Sequence, residues 1–332
     1  MSKIAVLGAG LCGLTAARDL RKRGHEVLVL EAGPEVGGVI RSEKRDGYLL
    51  ETGPNTLALR PDSPALELLE ETGLLEEVVD ANPEADKRFV VRGGKLIQAP
   101  TSPKELYGSD LLSFWGKLRL LIEPLLPRGK DTNETVAAFV RRRLGQEVLD
   151  YAVDPFVAGV FAANPESLVI RHAFPKLVEI EKEHRSLILG FRRLAKQRES
   201  ESKPKPRLIS FPDGLEALPR RLAKDLEGAI RTNASVQKVS REASGWQMEW
   251  TENGEPREDR FDSVTCALPA HKLTSITWEN FSSGEDFHVL AEAPHHPVSA
   301  LYHGFRREAV GHSLDGFGFL VPRKENLGIL GT

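Results

Sequence analysis

Cysteine is almost missing from this chain, with two in 332 residues. Two thiols make no disulfide framework, and the absence of a C-x-x-C or a close Cys/His set leaves no metal signature. Cys12, in a glycine loop, and Cys266, in an apolar stretch, both read as small packing residues in a reducing compartment. The nine histidines, His295-His296 included, have no ligand spacing and read as structural. An excess of charge of one sign is missing too: 45 basic residues face 48 acidic ones, for a net charge of −3 and a pI near 6.3. Such a balance gives no electrostatic case for nucleic acid as a partner. No run reaches the ~18 apolar residues of a membrane-spanning helix. The nearest stretch, 111–126, is interrupted by Lys117, Arg119, Glu123 and Pro124. It reads either as a helix in peripheral contact with a membrane or as one covering an apolar substrate cavity. Apolar strand pattern begins three residues after Met1, from which no signal or transit peptide is expected. The expected location is cytoplasmic, with peripheral membrane attachment left open. There is no internal repeat, and no Ser/His/Asp triad or carboxylate pair stands out.

What is there is an ordinary globular composition, 40% hydrophobic and 28% charged, in a chain long enough for two domains. Its clearest feature lies at the start. Ile4-Ala5-Val6-Leu7 reads as a buried parallel strand, and Gly8, Gly10 and Gly13 follow at G-x-G-x-x-G spacing, with Ala9, Leu11 and Cys12 between them. A helix is expected from Leu14 to about Arg23, with Leu14, Ala17 and Leu20 on one face. A second strand, Val27-Leu28-Val29-Leu30, ends in Glu31. Gly8 makes the tight turn, Gly10 lets a pyrophosphate approach the backbone, and Gly13 lets helix pack on strand. Glu31 can accept hydrogen bonds from a ribose, and the helix N-terminus offers N–H groups to the phosphates. A dinucleotide site in an α/β fold is the expectation.

Beyond Glu31 a nicotinamide-binding unit usually continues with another helix and strand. Here the chain gives Gly37-Gly38 and, three residues on, Arg41-Ser42. That pair of glycines followed by Arg resembles the second signature of the flavin amine oxidase superfamily and favours FAD. A surface turn with a solvated Arg is the plainer reading, as an exposed strand-end acid is for Glu31.

Further along, Tyr48-Leu49-Leu50-Glu51 reads as a strand leading to Gly53-Pro54, and Ser63-Pro64 as a helix start that runs to Gly73. Residues 87–97 read as a hairpin turning at Gly93-Gly94. Helical pattern dominates 111–194. Within it, 132–144 is amphipathic, with Arg141, Arg142 and Arg143 expected on a solvated face and Gly145 as terminator. Residues 150–161 and 175–183 are also expected to be helical. Charged, proline-containing 196–207 is expected to be a mobile surface loop. A helix ending near Leu226 follows, then strands at 229–232, 235–240, 246–251 and 264–269, the last rejoining the nucleotide domain. Strands at 298–305 and 316–322 are expected in a second, substrate-side sheet.

Taken together, several stretches resemble the protoporphyrinogen oxidase family of that superfamily. They are Gly53-Pro54-Asn55-Thr56, the hairpin at 88–96, Arg128-Gly129-Lys130 and the segment 154–165. The stretches 173–175, 184–190, 211–215 and 316–322 carry it as well. Residues 158–190 are the most specific part. The resemblance implies an α/β protein with a FAD-binding Rossmann-like (GR2-type) domain, a mixed-sheet substrate domain and an inserted helical domain. The expected divisions are 1–85 with 208–275, 86–110 with 276–332, and 111–195. The implied reaction is the six-electron oxidation of protoporphyrinogen IX in haem synthesis, with FAD passing electrons to O2 in three two-electron rounds to give hydrogen peroxide. Coproporphyrinogen III is the rival substrate, and a homodimer is a further expectation left open.

By the same resemblance, FAD contacts fall on Gly8, Ala9, Gly10, Leu11, Cys12, Gly13, Glu31, Gly37, Gly38, Arg41, Ser42, Gly53, Pro54, Asn55, Thr56 and, through its backbone, Val236. Arg88 would face a substrate propionate, its plain alternative being an edge-strand Arg in solvent. Phe156, Phe161 and Leu187 would line the cavity or simply pack the core. Two departures stand out. Ala163 stands where the family usually has glycine, and if backbone close to the substrate needs that glycine it adds a methyl where room is short. The family also continues past the equivalent of Thr332 with a glycine-rich segment that completes the flavin site. The chain is therefore expected to be truncated, with an inactive FAD-binding fragment as the alternative function.

Overall fold

The structure is a computed structural model that describes residues 1–129, 131, 133–200, 206–280 and 287–332. It divides into two compact units, Met1–Ala81 with Lys205–His295 and Ala300–Tyr302, and Asn82–Pro204 with His296–Ser299 and His303–Thr332.

The first unit is built on a four-stranded parallel sheet. Strand β1 (Lys3–Leu7) lies between β2 (Glu26–Leu30) and the strand Ser263–Cys266, and Ile230–Arg231 pairs with the far side of β2. The central strands β1 and β2 are mostly apolar because both faces are covered. On one side helix α1 (Leu11–Lys22) buries Leu14 and Ala17 with Val6, Val29 and Leu222. On the other, Ala5, Leu7 and Leu30 pack against Met248, Trp250 and Phe261 of a second sheet. Each fully buried Leu contributes about 1.5–3 kcal/mol. The second sheet runs Glu255–Phe261, Gly245–Glu252, Ala234–Glu242 and Thr277–Glu279 in that order. Its outer strand reads Glu-Pro-Arg-Glu-Asp-Arg and has no strand signature in the sequence. Charges and Pro256 are what an edge strand tolerates. A hairpin, Ser42–Arg45 with Tyr48–Glu51, turns through Asp46 and Gly47, both at positive φ as its tight turn requires.

In the second unit the expected hairpin forms from Lys87–Arg92 and Lys95–Gln98, turning at Gly93 and Gly94, and Gly316–Leu320 adds in parallel to its first strand. The helices Val136–Arg143, Asp154–Phe161, Pro175–His184 and Leu187–Ser200 surround a core of Val136, Phe139, Val140, Val157 and Ile180.

Three expectations are corrected. Helix Leu187–Ser200 extends through 196–200, because lysine, glutamine, arginine and glutamate propagate helix well. Residues 201–205 of that expected loop, and Lys130 of the Arg128-Gly129-Lys130 motif, lie outside the described residues. Residues 298–305 form no strand: they are largely exposed and have no ladder partner among the described residues, and β-propensity alone does not make a strand. Arg143 is not solvated but 0% exposed, because Glu123, also 0% exposed, pairs with it. Ala163 is buried in the helical core, and its neighbour Ala162, left-handed at φ 48°, ends the helix Asp154–Phe161.

Candidate dinucleotide and substrate sites

In the first unit the turn after β1 brings the predicted dinucleotide residues together. Gly8 has φ 96°, and a Cβ there would lie 3.1 Å from Leu268. At Gly13 a Cβ would fall 1.9 Å from the Gly8 carbonyl oxygen, so α1 can meet the turn only as glycine. Around Gly10 the space is open, with Gly38 Cα 4.0 Å from the Cβ position. Gly10 precedes α1 and no side chain caps that helix, which leaves its first-turn N–H groups for an anion. The loop 37–42 lies directly against this turn. Gly37 N–H donates to the Ala9 carbonyl (2.8 Å), and a Cβ on Gly38 would come 3.2 Å from Gly10 Cα.

Glu31 sits at the end of β2. Its carboxylate accepts N–H groups from Ala9 (2.7 Å) and Gly33 (2.8 Å), so it ties the glycine turn to the next loop. Each oxygen keeps a second lone pair for a ribose hydroxyl. The strand carrying Val236 starts beside it, with Ala234 N–H donating to the Glu31 carbonyl (2.8 Å) and a bulge between Val236 and Lys238. Gly53 packs so closely that a Cβ would lie 1.9 Å from the Val39 carbonyl oxygen, while Pro54 and Asn55 are exposed and Thr56 is half-buried. Cys12 and Cys266 are both exposed, which corrects their reading as packing residues. Leu11 is half-buried on the core side of α1.

Sequence reasoning missed what stands behind this loop. Ser42 Oγ donates to Glu51 Oε2 (2.7 Å) and accepts from Glu216 N–H (3.1 Å), while Ser42 N–H donates to Glu216 Oε2 (3.2 Å). Glu51 also accepts Leu215 N–H (2.7 Å), and the Tyr302 hydroxyl donates to its carbonyl. Glu51 and Glu216 are 7% and 5% exposed, so these hydrogen bonds are what makes their burial tolerable. The signal was thin: Glu51 ends an apolar strand, and Glu216 stands at a helix start where acids are common.

The predicted substrate residues lie in the second unit. The Arg88 guanidinium stacks over Phe317, 5.6 Å from its centroid, and donates to the Asp86 carbonyl (3.2 Å). Phe156 and Phe161, both exposed on the helix Asp154–Phe161, turn their rings to Phe174 at 6.2 and 5.6 Å. That helix meets the Phe317 strand where Gly159 faces Leu320. Leu187 is 1% exposed and belongs to the helical core. Phe174 and Phe317 were not singled out in the sequence.

Comparison with known proteins decides among the dinucleotide chemistries. The profile of the family described as flavin containing amine oxidoreductase matches residues 11–332. The chain belongs to that family. It is a flavin-dependent oxidoreductase. Among its curated relatives are protoporphyrinogen oxidase 2 of Arabidopsis thaliana, 34% identical over 97% of this chain and 68% of the relative, and the mitochondrial protoporphyrinogen oxidase of Nicotiana tabacum, 33% identical over 99% and 71%. The human protoporphyrinogen oxidase is 32% identical over 99% of this chain and 72% of its own length. In fold, the chain is similar to an Exiguobacterium protein provisionally named a protoporphyrinogen oxidase, with a TM-score of 0.75 at 22% identity over 99% of this chain and 72% of that one. It is similar also to putrescine oxidase, with a TM-score of 0.58 at 21% identity over 84% and 60%.

The cofactor of this family is FAD, and the residues present fit it. An uncapped helix start, an open Gly10 and a carboxylate with spare lone pairs match a pyrophosphate followed by a ribose. Among the described residues no His/Cys/Asp/Glu group is arranged for a metal, and no helix is long and apolar enough to cross a membrane.

Proposed function

We propose that the protein oxidises protoporphyrinogen IX to protoporphyrin IX. The observation that carries this reading is the naming of its curated relatives, protoporphyrinogen oxidases matched over nearly the whole chain. Arg88 beside an exposed aromatic surface supports it. A porphyrinogen has a broad apolar body and carboxylate tails, and a guanidinium held on a ring face is suited to receive one tail by a charge-assisted hydrogen bond. Phe156, Phe161 and Phe317 offer flat apolar contact to the macrocycle. On the cofactor side, the turn 8–13 receives the pyrophosphate, Glu31 the ribose, and Arg41 adds positive charge in the loop 37–42. Bound FAD supplies the two-electron chemistry, used three times, with dioxygen taking the electrons as hydrogen peroxide. The protein's work is to orient the substrate and keep water away. No side-chain acid or base is assigned.

The test offers protoporphyrinogen IX and coproporphyrinogen III separately, with FAD, and follows porphyrin fluorescence and peroxide together. Faster oxidation of the protoporphyrinogen, with one peroxide per electron pair, is expected. Faster oxidation of the other would move the substrate assignment, and neither exceeding its spontaneous rate would contradict the function.

Peripheral membrane contact belongs to the same proposal, since an apolar substrate partitions into lipid. Its place is the helix Phe114–Leu121 and the turn after it, where Trp115 and Leu125 are 73% and 85% exposed. Trp115→Ser with Leu125→Ser should reduce co-sedimentation with anionic vesicles, and unchanged vesicle binding would remove that contact.

A further inference from the structure

The loop 37–42 carries one cation, Arg41, and four acceptors share its guanidinium. Nη1 pairs with the Glu35 carboxylate and reaches Glu216 Oε1 at 3.5 Å, Nη2 donates to the Glu35 carbonyl (3.1 Å), and Nε donates to the Gly38 carbonyl (3.3 Å). The two carboxylates differ in kind. Glu216 is buried and fixed from three sides, by Ser42 N–H (3.2 Å), by Arg220 (3.1 Å) and by Arg41. Glu35 is exposed and Arg41 is its one ion-pair partner among the described residues. The loop 37–42 touches the turn at Gly10, where an anion would be received at the start of α1.

We propose that Glu35 competes with the dinucleotide's pyrophosphate for Arg41, so that this side chain sets how tightly the chain holds FAD. The inference rests on the reading of the 8–13 turn and the 37–42 loop as the pyrophosphate site. Glu216 holds the guanidinium from the buried side, and Glu35 holds it from the side open to solvent. An arriving phosphate and the Glu35 carboxylate need the same donors and, carrying like charge, repel each other. Glu35 therefore yields when the cofactor binds and contributes an opposing term to its affinity. A partly exposed ion pair is weak, so the term is small, roughly three- to fivefold in dissociation constant. It is screened by salt.

The experiment compares flavin-stripped wild type, Glu35→Gln and Glu35→Asp, titrating each with FAD by flavin fluorescence at low and at high salt, with thermal melts to show that all three are folded. Tighter binding by E35Q at low salt, a difference that shrinks at high salt, and E35D close to wild type are expected. Equal or weaker binding by E35Q would overturn the proposal, since it would make Glu35 neutral or a clamp that holds Arg41 ready. Failure of the wild type itself to bind FAD would instead overturn the pyrophosphate-site reading, and the proposal with it.

Discussion

Gly13 meets the Gly8 turn so closely that any Cβ on it would lie 1.9 Å from the Gly8 carbonyl oxygen. Two residues of one fingerprint thus have separable duties. Gly13→Ala must push helix α1 off the sheet and should cost about 1–3 kcal/mol of stability, with flavin lost as a consequence. Gly10→Ala meets no atom nearer than 4.0 Å, at a backbone φ of −71° that alanine adopts freely. It should leave stability within about 0.5 kcal/mol yet weaken FAD binding, because its methyl takes space the pyrophosphate needs. Denaturant unfolding beside flavin titration separates the two. Equal loss of stability in both variants would contradict this division.

Arg143 and Glu123 form a wholly buried pair in the second unit. Arg143 also donates to the carbonyls of Leu126 (3.1 Å), Pro127 (3.2 Å) and Arg185 (2.8 Å), while Glu123 accepts Leu187 N–H (3.0 Å). Arg143→Met leaves a buried carboxylate unpaired and should cost about 3–5 kcal/mol. Adding Glu123→Met should restore part of that. Urea unfolding of both single variants and the double one gives the coupling directly, and additive effects would show that the pair does not act as one.

At the surface of the first unit, Lys22 and then Arg18 hold the Glu71 carboxyl down, from an ordinary 4.5 to about 2. A carboxyl with a depressed folded-state value binds its proton more readily in the unfolded chain. Its contribution is therefore complete above 4.5 and lost as pH falls toward 2. Between those values Glu71→Gln should flatten the slope of melting temperature against pH, and added salt should shrink the difference. An unchanged slope would mean the group is not coupled to folding.

If the proposed function holds, Arg88, stacked on Phe317, receives a carboxylate tail of the substrate. Arg88→Ala should raise KM for the porphyrinogen roughly tenfold, the loss of about 1.4 kcal/mol, with a smaller change in kcat. Arg88→Lys keeps the charge but loses the planar face over Phe317 and should fall between. A kcat effect with unaltered KM would point away from substrate positioning.

Much of this was legible because it is local. The strand, turn, helix, strand and acid of 4–31 each follow from residues close in sequence, as do the Gly93-Gly94 hairpin and the Ser63-Pro64 helix start. What was not legible depends on partners far along the chain. Arg143 reads as one of three surface arginines until Glu123 is folded against it. Glu51 and Glu216 are ordinary acids until Ser42 lies between them. The charged strand Glu255–Phe261 becomes a strand only through its pairing with Gly245–Glu252, and 298–305, with the better strand composition, has no such partner among the described residues.

The most direct test mixes the chain, reconstituted with FAD, with protoporphyrinogen IX in the absence of oxygen and records the visible flavin absorbance. The expected result is retained flavin whose absorbance bleaches on mixing, with porphyrin appearing, and returns when air is admitted. Flavin that does not stay with the protein, or that stays and does not bleach, would contradict the central claim.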